Sequence, residues 1–382
     1  MARELRRRHP GSRVTVIEKE AGCGLHASGR NSGVLHAGFY YTADSLKARF
    51  TRDGNRQLTE YCAAHGVPVS RCGKLVVARG PGDLAGLDEL LQRGRANGVP
   101  LEQVSADDTR RIEPRARTYE RALFSPTTAS VDPTAVVASL VSELRAAGVR
   151  VVTGAAYRGR SRGAVRTSAG TISAGYVVNA AGLHADRVAR DYGFARRYRI
   201  LPFKGLYLVA EPGRGNFRTH IYPVPDLENP FLGVHITVTV TGAVTLGPTA
   251  IPAFWREQYR GFGNFKLGEF LEVVTREAAL FLRDDFGFRR LAVRELRKSG
   301  RRHLVSLAAR LACGIGVDDY RHWGPPGIRA QLYDEATGRL EMDFRCEGDD
   351  RSLHVLNAVS PAFTCALPFA AYLVDRIDAL VA

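Results

Sequence analysis

Near its start, middle and end, this chain gives a β-branched run, then small and polar residues, then a helical pattern. The first unit is "SRVTVIEKE" (12–20) running into "AGCGLHASGRNSGVLHAG" (21–38), with a helical pattern from Ser45 to His65. The second is "GYVVNAAGLHADRVA" (175–189), and the third "SLHVLNAVSPAFTCALPFAAYLV" (352–374). Strand, turn and helix in that order build parallel sheets with ligand sites at the strand ends. Between the units lie strand-rich stretches (73–78, 200–250), an amphipathic helical pattern (81–99) and a largely helical stretch (265–313). The pattern predicts an α/β fold. A discontinuous Rossmann-like domain takes 1–72, 131–200 and 326–382, and an inserted α+β domain with a mixed or antiparallel sheet takes 73–130 and 201–325.

At 382 residues the chain is long enough for two such domains. The net charge of +15 is carried mostly by arginine and suits an anionic substrate, an anionic cofactor or a membrane surface. The arginines are dispersed and no nucleic-acid motif accompanies them, so nucleic acid is not an expected partner. The six cysteines show neither CxxC pairs nor zinc spacing and read as reduced thiols of a cytoplasmic protein without a metal site. "MARELRRRHP" has no apolar run behind it, so it is not a secretory signal. The apolar stretch 353–374 is broken by Asn357, Ser360, Pro361 and Pro368, and reads as strand, turn and buried helix rather than a membrane span. Pro368 is expected to kink that helix or shift its start.

Glu18 closes the first strand, where an acid can accept hydrogen bonds from the ribose hydroxyls of a dinucleotide; it equally suits a strand end that reaches water. Ser28, Arg30, Asn31 and Ser32 supply donors and charge in the following loop, and Gly29 and Gly33 permit close backbone approach. Ala181 and Gly182 let a flat cofactor cross the turn after "VVN". Ser360 and Thr364 stand where the last helix should start, with its positive end toward such a cofactor. Four polar residues lie in apolar surroundings: His36, Lys204, His235 and Arg329. Oxidation of an α-hydroxy acid needs this inventory: a near-neutral base for the hydroxyl proton, and cations for carboxylates.

These stretches, with "PFKGLYL" (202–208), "YPVPDLENPFLGVHITVTVTGAVTLGPTAI" (222–251) and "GIRAQL" (327–332), resemble the FAD-dependent L-2-hydroxyglutarate oxidase/dehydrogenase family, which has the D-amino-acid-oxidase-like fold. The resemblance covers nearly the whole chain, in order. It implies FAD as hydride acceptor, a small dicarboxylate substrate, and electrons passed to a quinone or oxygen. By that resemblance Glu18, Ser28, Arg30, Asn31, Ser32, Gly33, Ala181, Gly182, Ser360 and Thr364 serve the cofactor. His36 and His235 are the base candidates, and Lys204, Tyr222 and Arg329 the substrate partners. An amine or amino-acid oxidase is the alternative within the fold. The family pattern begins with a strand and a GxGxxG turn that grip the pyrophosphate, and the numbered chain has neither. A misplaced start codon or a truncated, non-catalytic copy unable to hold FAD is therefore also an expectation. The basic surface adds peripheral association at the inner face of a membrane.

Overall fold

The computed structural model describes residues 1–226 and 233–382; residues 227–232 of the 222–251 stretch lie outside the described residues. The helices fall where the apolar periodicity places them: Leu46–Ala64 behind a Ser45 cap, Leu84–Ala96, Pro133–Ala146 behind an Asp132 cap, and Leu267–Arg283. Both caps accept a backbone N–H of the first turn, from Ala48 and Thr134 respectively. The last helix is Ala366–Val381. Pro368 does not kink it, because it occupies the first turn, where its missing N–H has no intrahelical role. Ser360 and Thr364 accordingly precede this helix rather than open it. Among the described residues no helix is long and apolar enough to cross a membrane, and all six cysteines are free.

Two small sheets each hold a parallel pair. Thr15–Ile17 pairs with Arg150–Val152, and Val177–Asn179 pairs with Ser352–Asn357. Among the described residues no strand joins Thr15–Ile17 to Val177–Asn179. The stretch 327–348 forms a hairpin only in its first part. Gly327–Asp334 turns back through Arg339–Leu340, whereas Arg345–Gly348 leaves to pair with Ser352–Asn357. Gly327–Asp334 also pairs along its whole length with Tyr198–Gly205. That pairing spans the sequence boundary between the two expected domains.

The largest sheet has eight strands, ordered 322–323, 208–209, 244–247, 235–238, 220–223, 74–77, 121–125 and 102–105. Its register sorts the residues between faces. Lys74 lies beside His220 and Val76 beside Tyr222, while Ile221 faces Ile236. Leu75, Val77, Ile221, Ile236, Val238 and Leu246 therefore share one face, where they form a core with Leu304, Val305 and Ala308. The opposite face carries Lys74, Val76, His220, Tyr222 and His235. Phe39, Tyr40, Leu87 and Leu90 pack on its apolar members.

One buried ion pair ties the middle unit to the helical stretch. Arg256 and Asp186 are both fully buried, and the guanidinium donates to both Asp186 oxygens, at 2.6 and 3.0 Å. It also donates to the Leu183 carbonyl and to Glu272. This fork fixes the turn after Val177–Asn179 against the segment before Leu267. Arg256→Met leaves the buried Asp186 with only Arg190, at 3.3 Å, as a counter-charge, so an unfolding free energy lower by about 3–5 kcal/mol is expected in urea titration. The double variant with Asp186→Leu should recover most of that loss. A single variant within about 1 kcal/mol of wild type would show that the pair is no clamp.

Candidate active site

The loop after Thr15–Ile17 is shaped largely by its own side chains. Asn31 donates to the carbonyls of Ala27 and Ser28 and accepts the Gly33 N–H, so its amide is spent inside the loop. Gly33 has φ of +70°, and a Cβ there would lie 2.2 Å from the Val131 carbonyl oxygen, so only glycine fits. That contact carries Val34–Leu35 onto Ala129–Ser130. Arg30 donates to the Leu25 carbonyl and lies 4.4 Å from the Tyr259 ring centroid. Ser28 is exposed, and Ser32 meets the Tyr207 hydroxyl.

The loop then buries His36. Its N–H donates to Thr364 Oγ1, whose hydroxyl donates to the Val34 carbonyl, and its own carbonyl accepts from Asn55. Thr364 thus pins the segment before the last helix to the loop. Gly54 makes this possible: a Cβ there would be 2.2 Å from the Thr364 carbonyl oxygen. His36 Nδ1 is buried with no hydrogen-bond partner.

His235 comes from the polar face of the eight-stranded sheet. Its Nδ1 lies 3.0 Å from the Gly233 carbonyl oxygen, an acceptor only, so Nδ1 carries the proton and Nε2 the lone pair. The ring stacks on Tyr222 with centroids 3.7 Å apart. Burial first, then the charges of Lys74 and Arg329, hold His235 far below the usual histidine range. Burial and Lys74 do the same to His36, with smaller contributions from His235, His220 and Arg329. Both imidazoles are therefore held neutral. His220 is different. Its Nδ1 accepts the Val238 N–H and its Nε2 meets Cys72 and Ser130, so it is a satisfied structural histidine held down to about 3.

The structure thus brings together His36, His235, Tyr222 and Arg329. It sets Lys204 apart. Phe203 pairs with Arg329 and Lys204 with Ile328, so the lysine points to the opposite face of its sheet from the arginine. Arg329, Gln331, Lys47, Glu341 and Ser360 line a small cavity. Glu18 and the turn at Ala181–Gly182 lie outside this cluster. One Glu18 oxygen accepts the Glu20 N–H. Ala180, Ala181 and Gly182 form an exposed shelf, and the space beside Gly182, where φ is +53°, is open.

The chain matches the family described as FAD dependent oxidoreductase over residues 1–376. It belongs to that family. It is 34% identical over 385 residues to the L-2-hydroxyglutarate dehydrogenase of Escherichia coli K12, covering 98% of this chain and 89% of that one. It is 37% identical over 390 residues to the mitochondrial L-2-hydroxyglutarate dehydrogenase of Mus musculus, covering 96% and 83%. The fold is that of FAD-bound L-α-glycerophosphate oxidase from Mycoplasma pneumoniae, with TM-score 0.74, 20% identity and coverage of 96% and 88%. Glycine oxidase from Geobacillus kaustophilus has it too, with TM-score 0.70, 17% identity and coverage of 98% and 90%.

The oxidoreductase offers features that fit FAD: a half-buried acid after a parallel strand, an open small-residue shelf, and buried polar atoms without partners. Sequence reasoning missed one of those atoms. Lys74 Nζ is fully buried, with no hydrogen-bond partner, 4.5 Å from the Tyr222 ring centroid, 4.9 Å from Tyr40 and 5.2 Å from Phe39. "GKLVVA" read simply as a strand; a lysine on a strand flanked only by apolar residues was the available signal.

Burial pulls Lys74 from 10.5 down to about 7, opposed only by Cys72. His36, His220 and His235 border it from neighbouring elements, and burial keeps Tyr40 and Tyr222 protonated. The unfolded chain holds this proton up to 10.5 and the folded one only to about 7. Stability should therefore be lowered by Lys74 in full below pH 7 and recover as pH rises toward 10.5. Lys74→Met is expected to melt above wild type, with the gain largest near pH 6 and shrinking steadily toward pH 10. A gain independent of pH would show that Lys74 is not a buried titrating group.

Proposed function

We propose that the chain oxidises L-2-hydroxyglutarate to 2-oxoglutarate. The substrate is supported by relatives of that name at 34–37% identity over nearly the whole chain. FAD, when bound, accepts the hydride that leaves C2. His235 takes the hydroxyl proton on Nε2, because the Gly233 carbonyl fixes its other proton on Nδ1. Tyr222 holds the imidazole plane by stacking. Arg329 takes the carboxylate beside C2 through its planar fork. The observation that carries this reading is a tautomer-fixed imidazole, stacked on Tyr222 and acted on by cationic groups from two sheets. Glu18 and the shelf at Ala181–Gly182 hold the ribose end of the cofactor, and Ser28, Arg30, Ser32, Gly33 and Ser360 border its path.

Anaerobic mixing with L-2-hydroxyglutarate should bleach the flavin, and L-glutamate should not. His235→Ala is expected to slow bleaching by about 10²–10⁴-fold with little change in KM. Bleaching by glutamate alone would make the protein an amino-acid oxidase.

The electron acceptor is proposed to be a quinone reached from an anionic membrane surface on the cytoplasmic side. The helix Leu267–Arg283 supports this, because it exposes large apolar side chains while burying two glutamates along with Val273 and Leu280. Leu267, Leu271, Phe281 and Leu282 share its solvent face, while Glu269 and Glu277 face inward. Phe262 is 84% exposed just before it, beside exposed Arg260 and Lys266. Apolar side chains rimmed by cations suit an anionic interface. Vesicles containing phosphatidylserine should pellet the protein. Leu271→Glu with Leu282→Glu should abolish pelleting at low salt, whereas neutral vesicles that pellet the protein equally well would overturn the anionic partner.

A further inference from the structure

Lys74 has no structural task that its surroundings explain. A buried ammonium without an acid or a hydrogen bond costs more stability than an apolar side chain of the same length. Phe39, Tyr40 and Tyr222 form three sides of a cage around it, and the cage leaves its N–H donors unused. The Tyr40 hydroxyl is buried without a partner as well. Two buried donors without protein partners suit a ligand with acceptor oxygens and negative charge.

The cage and Arg329 belong to different sheets, and both are near the histidines. Lys74 comes from the eight-stranded sheet and Arg329 from the four-stranded one, and each charge acts on both His36 and His235. Resting on the substrate reading above, we propose that Lys74, with the Tyr40 hydroxyl, is the anchor for the carboxylate remote from C2. It thereby selects dicarboxylic over monocarboxylic 2-hydroxy acids. The two cations divide the work by their chemistry. A guanidinium fork orients the carboxylate next to the reacting carbon, while a compact ammonium in an aromatic cage reads charge with little demand on angle. An aromatic cage also suits a cation whose counter-ion comes and goes, since the ring faces stabilise it in the absence of the anion.

The test uses FAD-loaded full-length protein and two substrates: L-2-hydroxyglutarate, and L-2-hydroxypentanoate, the same five-carbon chain ending in a methyl group. In Lys74→Met, KM for the dicarboxylate should rise at least about 30-fold while that for the monocarboxylate stays within about threefold. Lys74→Gln should behave alike, and both variants should melt no lower than wild type. Equal losses on both substrates would make Lys74 a base or a structural residue and overturn the proposal, as would an unchanged preference for the dicarboxylate. Glutarate, which has no hydroxyl to oxidise, separates this from the substrate reading. Wild type that binds glutarate and a Lys74→Met variant that does not support the anchor even where L-2-hydroxyglutarate leaves the flavin oxidised. Glutarate bound equally by both proteins overturns it.

Discussion

A β-strand has two faces and one register, and most of this site follows from that constraint. Once Leu75, Val77, Ile221 and Ile236 are committed to the core, Lys74, His220, Tyr222 and His235 have nowhere to go but the other side. A slip of one residue in any of the three central strands would exchange a core residue for a charge. The apolar core therefore enforces the polar cluster, although it touches none of its functional atoms.

The members of the cluster come from separate elements, and Glu341 lines the cavity beside Arg329. His36, His220 and His235 are all kept neutral, by burial first and the nearby cation second. A dicarboxylate substrate would bring its negative charge into that field, which ties binding to the local electrostatics.

Much of the fold was legible in the sequence. The helices at 46–64, 84–96 and 133–146 carry plain apolar periodicity and cap or stop residues, so local chemistry sets them. His36, His235 and Arg329 were visible as polar residues in apolar runs. Pairing across long separations was not legible. The departure of Arg345–Gly348 from its neighbour, and the opposite facing of Lys204 and Arg329, depend on register that no short stretch records. Asn31 and Thr364 have cofactor-like chemistry, but their side chains serve the loop's own shape and the pin to the last segment. Lys74 went unnoticed because a strand ending in lysine usually reaches water.

The Thr364 pin has a consequence for how the protein comes into being. It joins residues 328 positions apart, His36 from near the start of the chain and Thr364 from near its end. At synthesis rates of about 5–20 residues per second, the His36 loop waits roughly twenty seconds to a minute for its partner. Until then the cavity has no wall on that side, and the imidazole is neither buried nor neutralised by burial. The catalytic environment is thus among the last features to form, completed only when the C-terminal helix docks. A nascent chain interrupted between Arg329 and Thr364 would carry every histidine and cation of the site and still possess none of its chemistry.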